Sequence, residues 1–270
     1  MQHEIARRTP LWMRMGGRRV FYFGTAEKCD FCGSSVRTFL PNGNTFPILT
    51  ERQVVGGMQR PNDRCPVCHA QDRTRLMQYY LEHRLGAGRG RDATLRVLNV
   101  APDRGLVFWF QRIAGIDYTG CDLDAARYSH VKNFVEADLT DLPFDDDGFD
   151  VVICSHVLEH VPDDAKAMQE IFRVLKPGGQ ALLLVPLATD GGVTDEDPSV
   201  SDPRERERRF GQWDHIRLYE RGDFVARIEQ AGFAVELFDS YAEDAAEAEK
   251  RKLNPLELLP VATKPQAAPG

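Results

Sequence analysis

The stretch Phe149-Asp150-Val151-Val152-Ile153-Cys154-Ser155-His156-Val157-Leu158-Glu159-His160 decides the fold. Its apolar run is short and closes abruptly on polar residues. Such a run reads as a strand buried on both faces of a parallel sheet. It delivers His156, Glu159 and His160 to the carboxyl edge, which is where open α/β sheets bind their ligands.

Similar runs lie on both sides. Residues 95–100, 118–121, 134–137 and 180–186 read as further strands, with helical patterns between them. The best helix spans 163–175 and is stopped by Lys176-Pro177-Gly178-Gly179. A helix at 221–231 and strands at 234–238 and 256–262 complete an α/β, doubly wound sheet. The polar segment 190–209 is long for an idle connection and is expected to be a lid or substrate loop. Residues 265–270 read as a disordered tail.

The 270 residues are 42% hydrophobic and 28% charged, and no apolar run approaches the roughly 20 residues of a membrane span. The start, Met1-Gln2-His3-Glu4-Ile5-Ala6-Arg7-Arg8, lacks the apolar core of a signal peptide, so a cytoplasmic location is expected. The net charge of −7 is uneven: residues 1–95 carry 15 Lys and Arg against 8 Asp and Glu. A basic module joined to an acidic one fits RNA or another anionic partner, and equally fits attraction between the two parts.

Four of the six cysteines form two pairs, Cys29-x-x-Cys32 and Cys65-x-x-Cys68. Each pair makes a tight turn, and two such turns give the tetrahedral four-sulfur set that zinc prefers. Residues 25–75 are rich in loops and too few to bury a sufficient core, so a structural zinc staple is expected. A helix at 72–85 and the run Gly86-Ala87-Gly88-Arg89-Gly90 follow, so residues 1–90 read as arm, zinc-ribbon-like module and connecting helix. Residues 91–264 read as the second domain. Cys121 and Cys154 stand alone and read as small buried apolar residues.

Residues 95–240 resemble the class I S-adenosylmethionine-dependent methyltransferases, with their motifs in the usual order. Leu95-Arg96-Val97-Leu98-Asn99-Val100-Ala101-Pro102-Asp103-Arg104-Gly105 stands for the first strand and its glycine-rich turn, here keeping only the last glycine. Asp122 stands where the family grips the ribose hydroxyls, and Asp138 where it meets the adenine amino group. The resemblance implies a Rossmann-like methyltransferase sheet that binds S-adenosylmethionine through Asn99, Ala101, Gly105, Asp122, Leu123, Asp138, Leu139 and Ser155. Carboxylates also suit a sulfonium cofactor and repel a pyrophosphate.

His156, Glu159 and His160 fall on one face if the chain turns helical after the strand. The segment is similar to the E-x-x-E-H of ubiquinone-type O-methyltransferases, which implies a second divalent metal at these three residues. The other reading is that they cap and shape the loop. In Phe210-Gly211-Gln212-Trp213-Asp214-His215-Ile216-Arg217-Leu218-Tyr219, Asp214 and His215 could supply a base and Arg217 could hold an anionic substrate. The candidate catalytic residues are therefore His156, His215, Asp214 and His160. Three functions remain open: methylation of a small molecule, with oxygen slightly favoured; methylation of ribosomal or transfer RNA read by the basic module; and a non-catalytic binding protein. The altered glycine turn motivates the last.

Overall fold

The computed structural model describes residues 11–88 and 93–266. The N-terminal module begins with helix α1 (Leu11–Phe21) and the hairpin β1 (Phe23–Cys29) and β2 (Ser34–Val36). A second antiparallel pair follows, β3 (Leu40–Asn42) with β4 (Arg60–Arg64), and between its strands lies the short α2 (Pro47–Glu51). Helix α3 (Asp72–His83) then leads to the large sheet.

That sheet has seven strands: β5 (Leu95–Val100), β6 (Ile116–Asp122), β7 (Phe134–Glu136), β8 (Phe149–Ser155), β9 (Leu175–Leu184), β13 (Ala234–Asp239) and β14 (Leu258–Thr263). Their spatial order is β13-β14-β9-β8-β5-β6-β7. The first five run parallel, and β14 is antiparallel to both of its neighbours. From β5 the chain goes outward to β6 and β7, then returns to β8 on the opposite side. The carboxyl ends of β5 and β8 therefore flank a switch point, where the crossovers diverge and leave a crevice.

Alternate residues of the central strands supply the two faces. Val97, Val151, Ile153, Leu182 and Val261 enter one core, while Leu98, Val152, Cys154, Leu183 and Ala262 enter the other. The second core is covered by α5 (Asp164–Val174) and α7 (Arg221–Gln230). The first is covered by α4 (Arg104–Phe110), by α8 (Ser240–Lys250) and by α3 itself, through Leu76, Met77, Tyr79 and Tyr80. Cys29, Cys65 and Cys68 belong to that same core, and Cys32 packs against it. A boundary near residue 90 thus follows the chain but divides one continuous apolar interior.

Strand β9 begins five residues earlier than the apolar run indicates. Leu175 pairs with Phe149, and the register then shifts before Gln180 pairs with Val151. Lys176-Pro177-Gly178-Gly179 is therefore an irregularity within the strand, with Gly178 at φ +81°. The tail expected at 265–270 reaches outside the described residues from 267, as does part of the expected linker at 89 and 90. Lys264, just before that tail, is fixed: its Nζ donates to Asp147 and to the Leu175 carbonyl, both at 2.7 Å.

The segment after β9 is built, not loose. Strands β10 (Leu187–Ala188), β11 (Asp195–Glu196) and β12 (Arg217–Glu220) form a small sheet, and α6 (Pro203–Phe210) packs on it. Phe210, Leu218 and Ala188 share a core with Leu49 and Val54 of the N-terminal module. Val55 and Leu187 exchange backbone hydrogen bonds of 2.9 and 3.0 Å, and Arg52 pairs with Asp190 at 2.6 Å. The segment 190–209, expected as a lid or substrate loop, is thus packed on the small sheet that the module holds.

Candidate functional site

A cavity of about 1300 Å³ lies at the carboxyl edge of the large sheet. Its walls come mainly from three places: the turns after β5, β6, β7 and β8; the N-terminal module; and the segment 210–215. Asn99, Ala101, Asp122, Leu123, Asp138, Leu139 and Ser155 all line it, as do His156, His160, Asp214 and His215. Gly105 is not among its lining residues. A Cβ there would stand 2.8 Å from Asp103 Oδ1 and 3.1 Å from the Thr74 side chain, so its smallness serves close packing of α4 against α3.

The altered turn after β5 keeps the shape of a glycine turn. Ala101 sits at φ +47°, the left-handed region that L-residues enter at a cost of roughly 1–2 kcal/mol. Asp103 caps α4, its Oδ1 accepting from Gly105 N at 2.7 Å and Leu106 N at 3.2 Å. That oxygen serves the helix, which weakens Asp103 as a partner for a ligand's amino group. Asp122 uses Oδ1 to accept from Asp124 N at 3.0 Å. Asp138 accepts from Thr140 N and Oγ1, both at 2.8 Å, and these bonds hold its carboxyl below the usual range. Leu123, beside Asp122, is 68% exposed and presents an apolar surface to the cavity.

At the other end, His156 takes φ +56° and donates its backbone N–H to Leu184 O at 2.7 Å. The helix expected after the strand is only a 3-10 turn over Leu158–His160, so His156 stands outside it. Its Nδ1 nevertheless reaches within 3.2 Å of Glu159 Oε1. Glu159 is 1% exposed, and His215 Nε2 approaches the same oxygen at 3.9 Å. The His160 and His215 rings meet edge to face at 4.8 Å.

Burial pushes the imidazoles of His156 and His215 below the ordinary histidine value. For His156 the positive charge of Arg73 adds to this, so both rings are neutral near pH 7. Burial would raise the Glu159 carboxyl, but the surrounding histidines, His156 first, hold it down to about 2.

Arg217 does not face the cavity as a substrate ligand. It is 3% exposed, and its guanidinium donates to the carbonyls of Leu158, Val161 and Pro162 and pairs with Glu196 at 3.1 Å. Tyr219 adds a hydroxyl bond of 2.6 Å to Asp164. Strand β12 thus braces the turn that carries Glu159 and His160. The long-range pairing could not be read from spacing, because 55 or more residues separate the partners.

The module also contributes residues that the sequence did not single out: Asn44, Met58, Arg60, Asp72 and Arg73 line the cavity. Asn44 and Met58 lie in loops, Arg60 opens β4, and Asp72 and Arg73 begin α3; no motif marks them as site residues. Much of the module's charge is spent on the large domain. Arg84 pairs with Glu236 and Glu243, and Arg52 with Asp190. The cysteine pairs come together as anticipated. Cys29 and Cys68 sulfurs lie 3.8 Å apart, and Cys32 and Cys65 sulfurs 3.9 Å. His69 is turned away to Arg18.

Residues 85–183 match the sequence profile described as a methyltransferase domain. The ubiquinone/menaquinone biosynthesis C-methyltransferase of Brucella canis is 32% identical over 166 residues, covering 54% of this chain and 60% of that protein. The demethylmenaquinone methyltransferase of Clavibacter sepedonicus is 54% identical over 50 residues, 18% of this chain and 20% of its own. Among solved structures, an S-adenosylmethionine-dependent methyltransferase from Mesorhizobium loti aligns with a TM-score of 0.42 at 18% identity, covering 65% of this chain and 94% of that one. The chain spans about 60% of the length of the Brucella relative. The matched segment runs from just after α3 to the carboxyl end of β9, within the seven-stranded α/β unit.

Proposed function

We propose that the protein transfers a methyl group from S-adenosylmethionine to a small-molecule acceptor held between the methyltransferase domain and the cysteine module. The observation that carries this is one cavity with two chemically different ends. Asp122, Asp138 and Leu123 lie in one part, and His156, Glu159 and His215 in another. Its volume of about 1300 Å³ exceeds that of ordinary single-ligand sites, which reach about 1,000 Å³, so cofactor and acceptor can share it.

The donor groups suit the cofactor. Asp122 has one carboxylate oxygen engaged by its own turn and the other available to ribose hydroxyls. Leu123 offers an apolar face to a purine, and the Ala101 turn allows close backbone approach. S-adenosylmethionine, when bound, supplies an already activated methyl group. What remains for the chain is to orient the acceptor, exclude water and take a proton. His156 is neutral near pH 7 and stands beside the charged Glu159, so it can accept a proton from an acceptor hydroxyl while Glu159 stabilises the resulting imidazolium. That argument favours oxygen as the acceptor atom. Asp214, His160 and His215 complete the polar wall.

The four cysteines fit a structural zinc ion. Sulfurs about 2.3 Å from a tetrahedral metal lie about 3.8 Å apart, the spacing found between Cys29 and Cys68. Such an ion would tie β1–β2 to the start of α3 and so fix the wall that carries Arg60 and Arg73.

Calorimetric titration with S-adenosylmethionine tests the proposal. One site per chain is expected, weakened roughly tenfold to a hundredfold in Asp122→Asn by loss of charge-assisted hydrogen bonds of about 1.5–3 kcal/mol. No detectable binding by the full chain would overturn it.

A further inference from the structure

Glu159 poses a problem that methyl transfer alone does not solve. It is a carboxyl group at 1% exposure, and neither oxygen has a hydrogen-bond partner of good geometry among the described residues. A buried carboxyl group in this state calls for a partner. Arg217, the cation on the neighbouring strand, is committed to Glu196 and to the carbonyls of the turn.

The groups facing Glu159 have the character of metal ligands. One donor atom from each of Glu159, His160 and His215 lies within 4.8 Å of the others. Ligands about 2.0–2.2 Å from one tetrahedral ion stand about 3.4 Å apart. The 3.9 Å between His215 Nε2 and Glu159 Oε1 lies about 0.5 Å beyond this and is too long for a hydrogen bond. Side-chain rotations that close at most about 1.4 Å bring the three donors onto one ion.

Both histidines are also oriented from behind by backbone carbonyls. His215 Nδ1 lies 3.3 Å from Phe210 O, and His160 Nδ1 lies 3.1 Å from Asp214 O. An imidazole whose Nδ1–H donates to a carbonyl presents Nε2 as a lone pair, the arrangement that outer contacts impose on metal-ligating histidines.

We propose that Glu159, His160 and His215 form a binding site for a first-row divalent transition-metal ion. Two imidazoles and one carboxylate select such ions over magnesium or calcium, which favour all-oxygen sites. The set differs from the His156, Glu159 and His160 triple that the resemblance to ubiquinone-type O-methyltransferases implies: His215, from the wall after β9, takes the third position, and His156 remains 3.2 Å from the carboxylate. All three ligands line the cavity, so open coordination positions face it. An oxygen-bearing acceptor would be held there, and this extension rests on the methyl-transfer reading. Metal binding itself does not.

The test uses the full chain loaded with zinc at the cysteine site and titrated with Co²⁺ alone. One further equivalent is expected, with visible d–d absorption and no thiolate-to-cobalt charge-transfer band, because its ligands are nitrogen and oxygen. Glu159→Gln should weaken it at least tenfold. His160→Ala, at a side chain 30% exposed, serves as a second variant whose fold is not at stake and should do the same. Retained zinc and unchanged thermal unfolding identify folded variants. S-adenosylmethionine calorimetry on the same samples reports separately on the methyl-transfer reading. No second equivalent, a spectrum with thiolate charge transfer, or unchanged affinity in folded Glu159→Gln or His160→Ala overturns the proposal.

Discussion

Replacing Glu257 by glutamine is expected to stabilise the protein progressively as the pH rises and to leave it unchanged in acid. Glu257 is 4% exposed, and its Oε2 has no hydrogen-bond partner among the described residues. Burial first, then the charge of Asp72, pushes its carboxyl from 4.5 up to about 8, against the pull of Arg73 and Arg60. In the unfolded chain the same carboxyl ionises near 4.5. Across the interval from 4.5 to about 8 the folded state therefore keeps a proton that the unfolded state has lost. Stability from the neutral carboxyl is complete below that interval and is lost as pH rises through it.

Each pH unit in the interval costs the folded protein about 1.4 kcal/mol. Glutamine is neutral at every pH and close in shape, so it avoids this cost. The advantage of Glu257→Gln over the parent should grow from near zero at pH 4.5 to about 3 kcal/mol at pH 7, levelling near 5 kcal/mol above pH 8. Urea unfolding of both proteins at matched pH and free zinc measures the difference, and effects common to both cancel. A difference that stays flat between pH 5 and 8 would refute the reasoning, because it would mean that Glu257 ionises alike in both states.

Arg217→Met should cost about 2–5 kcal/mol in urea unfolding, since it strips the Val161 and Pro162 carbonyls of a buried donor, at about 1–3 kcal/mol each, while Glu196 keeps Arg227 and the Leu158 carbonyl keeps Tyr219; a loss under 1 kcal/mol would show that the brace is dispensable. Cys65→Ser should lower bound zinc from one equivalent to well below half by metal analysis, with a large fall in thermal midpoint, because structural zinc contributes folding energy directly. A full equivalent in that variant would count against a four-sulfur site.

Much of the large domain was legible because burial on two faces leaves a plain mark. The runs at 95–100 and 149–154 are apolar throughout or nearly so, and they became β5 and β8. The stop at Pro177 and the cap at Asp163 bounded α5 to within a residue. Strand β9 was harder: its first half is a register shift, and the glycines that produce it look like a simple turn. The paired cysteines were equally plain, since each C-x-x-C pair sets two thiols at the short fixed spacing of a metal-binding turn.

The site was legible only in its parts. The resemblance to the methyltransferases named Asp122 and Asp138, and local patterning named His156, Glu159 and His215, which follow a strand or stand in a polar cluster. It grouped His156, Glu159 and His160 on a helix, but the chain makes a single 3-10 turn with His156 in a left-handed conformation. It offered Arg217 to a substrate, yet the fold spends that charge on carbonyls more than fifty residues earlier in the chain. Sequence determines which segments are apolar enough to form strands and which residue types reach the sheet edge. Tertiary structure alone decided that the cysteine module and the segment after β9 close one cavity around that edge. Those contacts join residues far apart in the chain, and no periodicity records them.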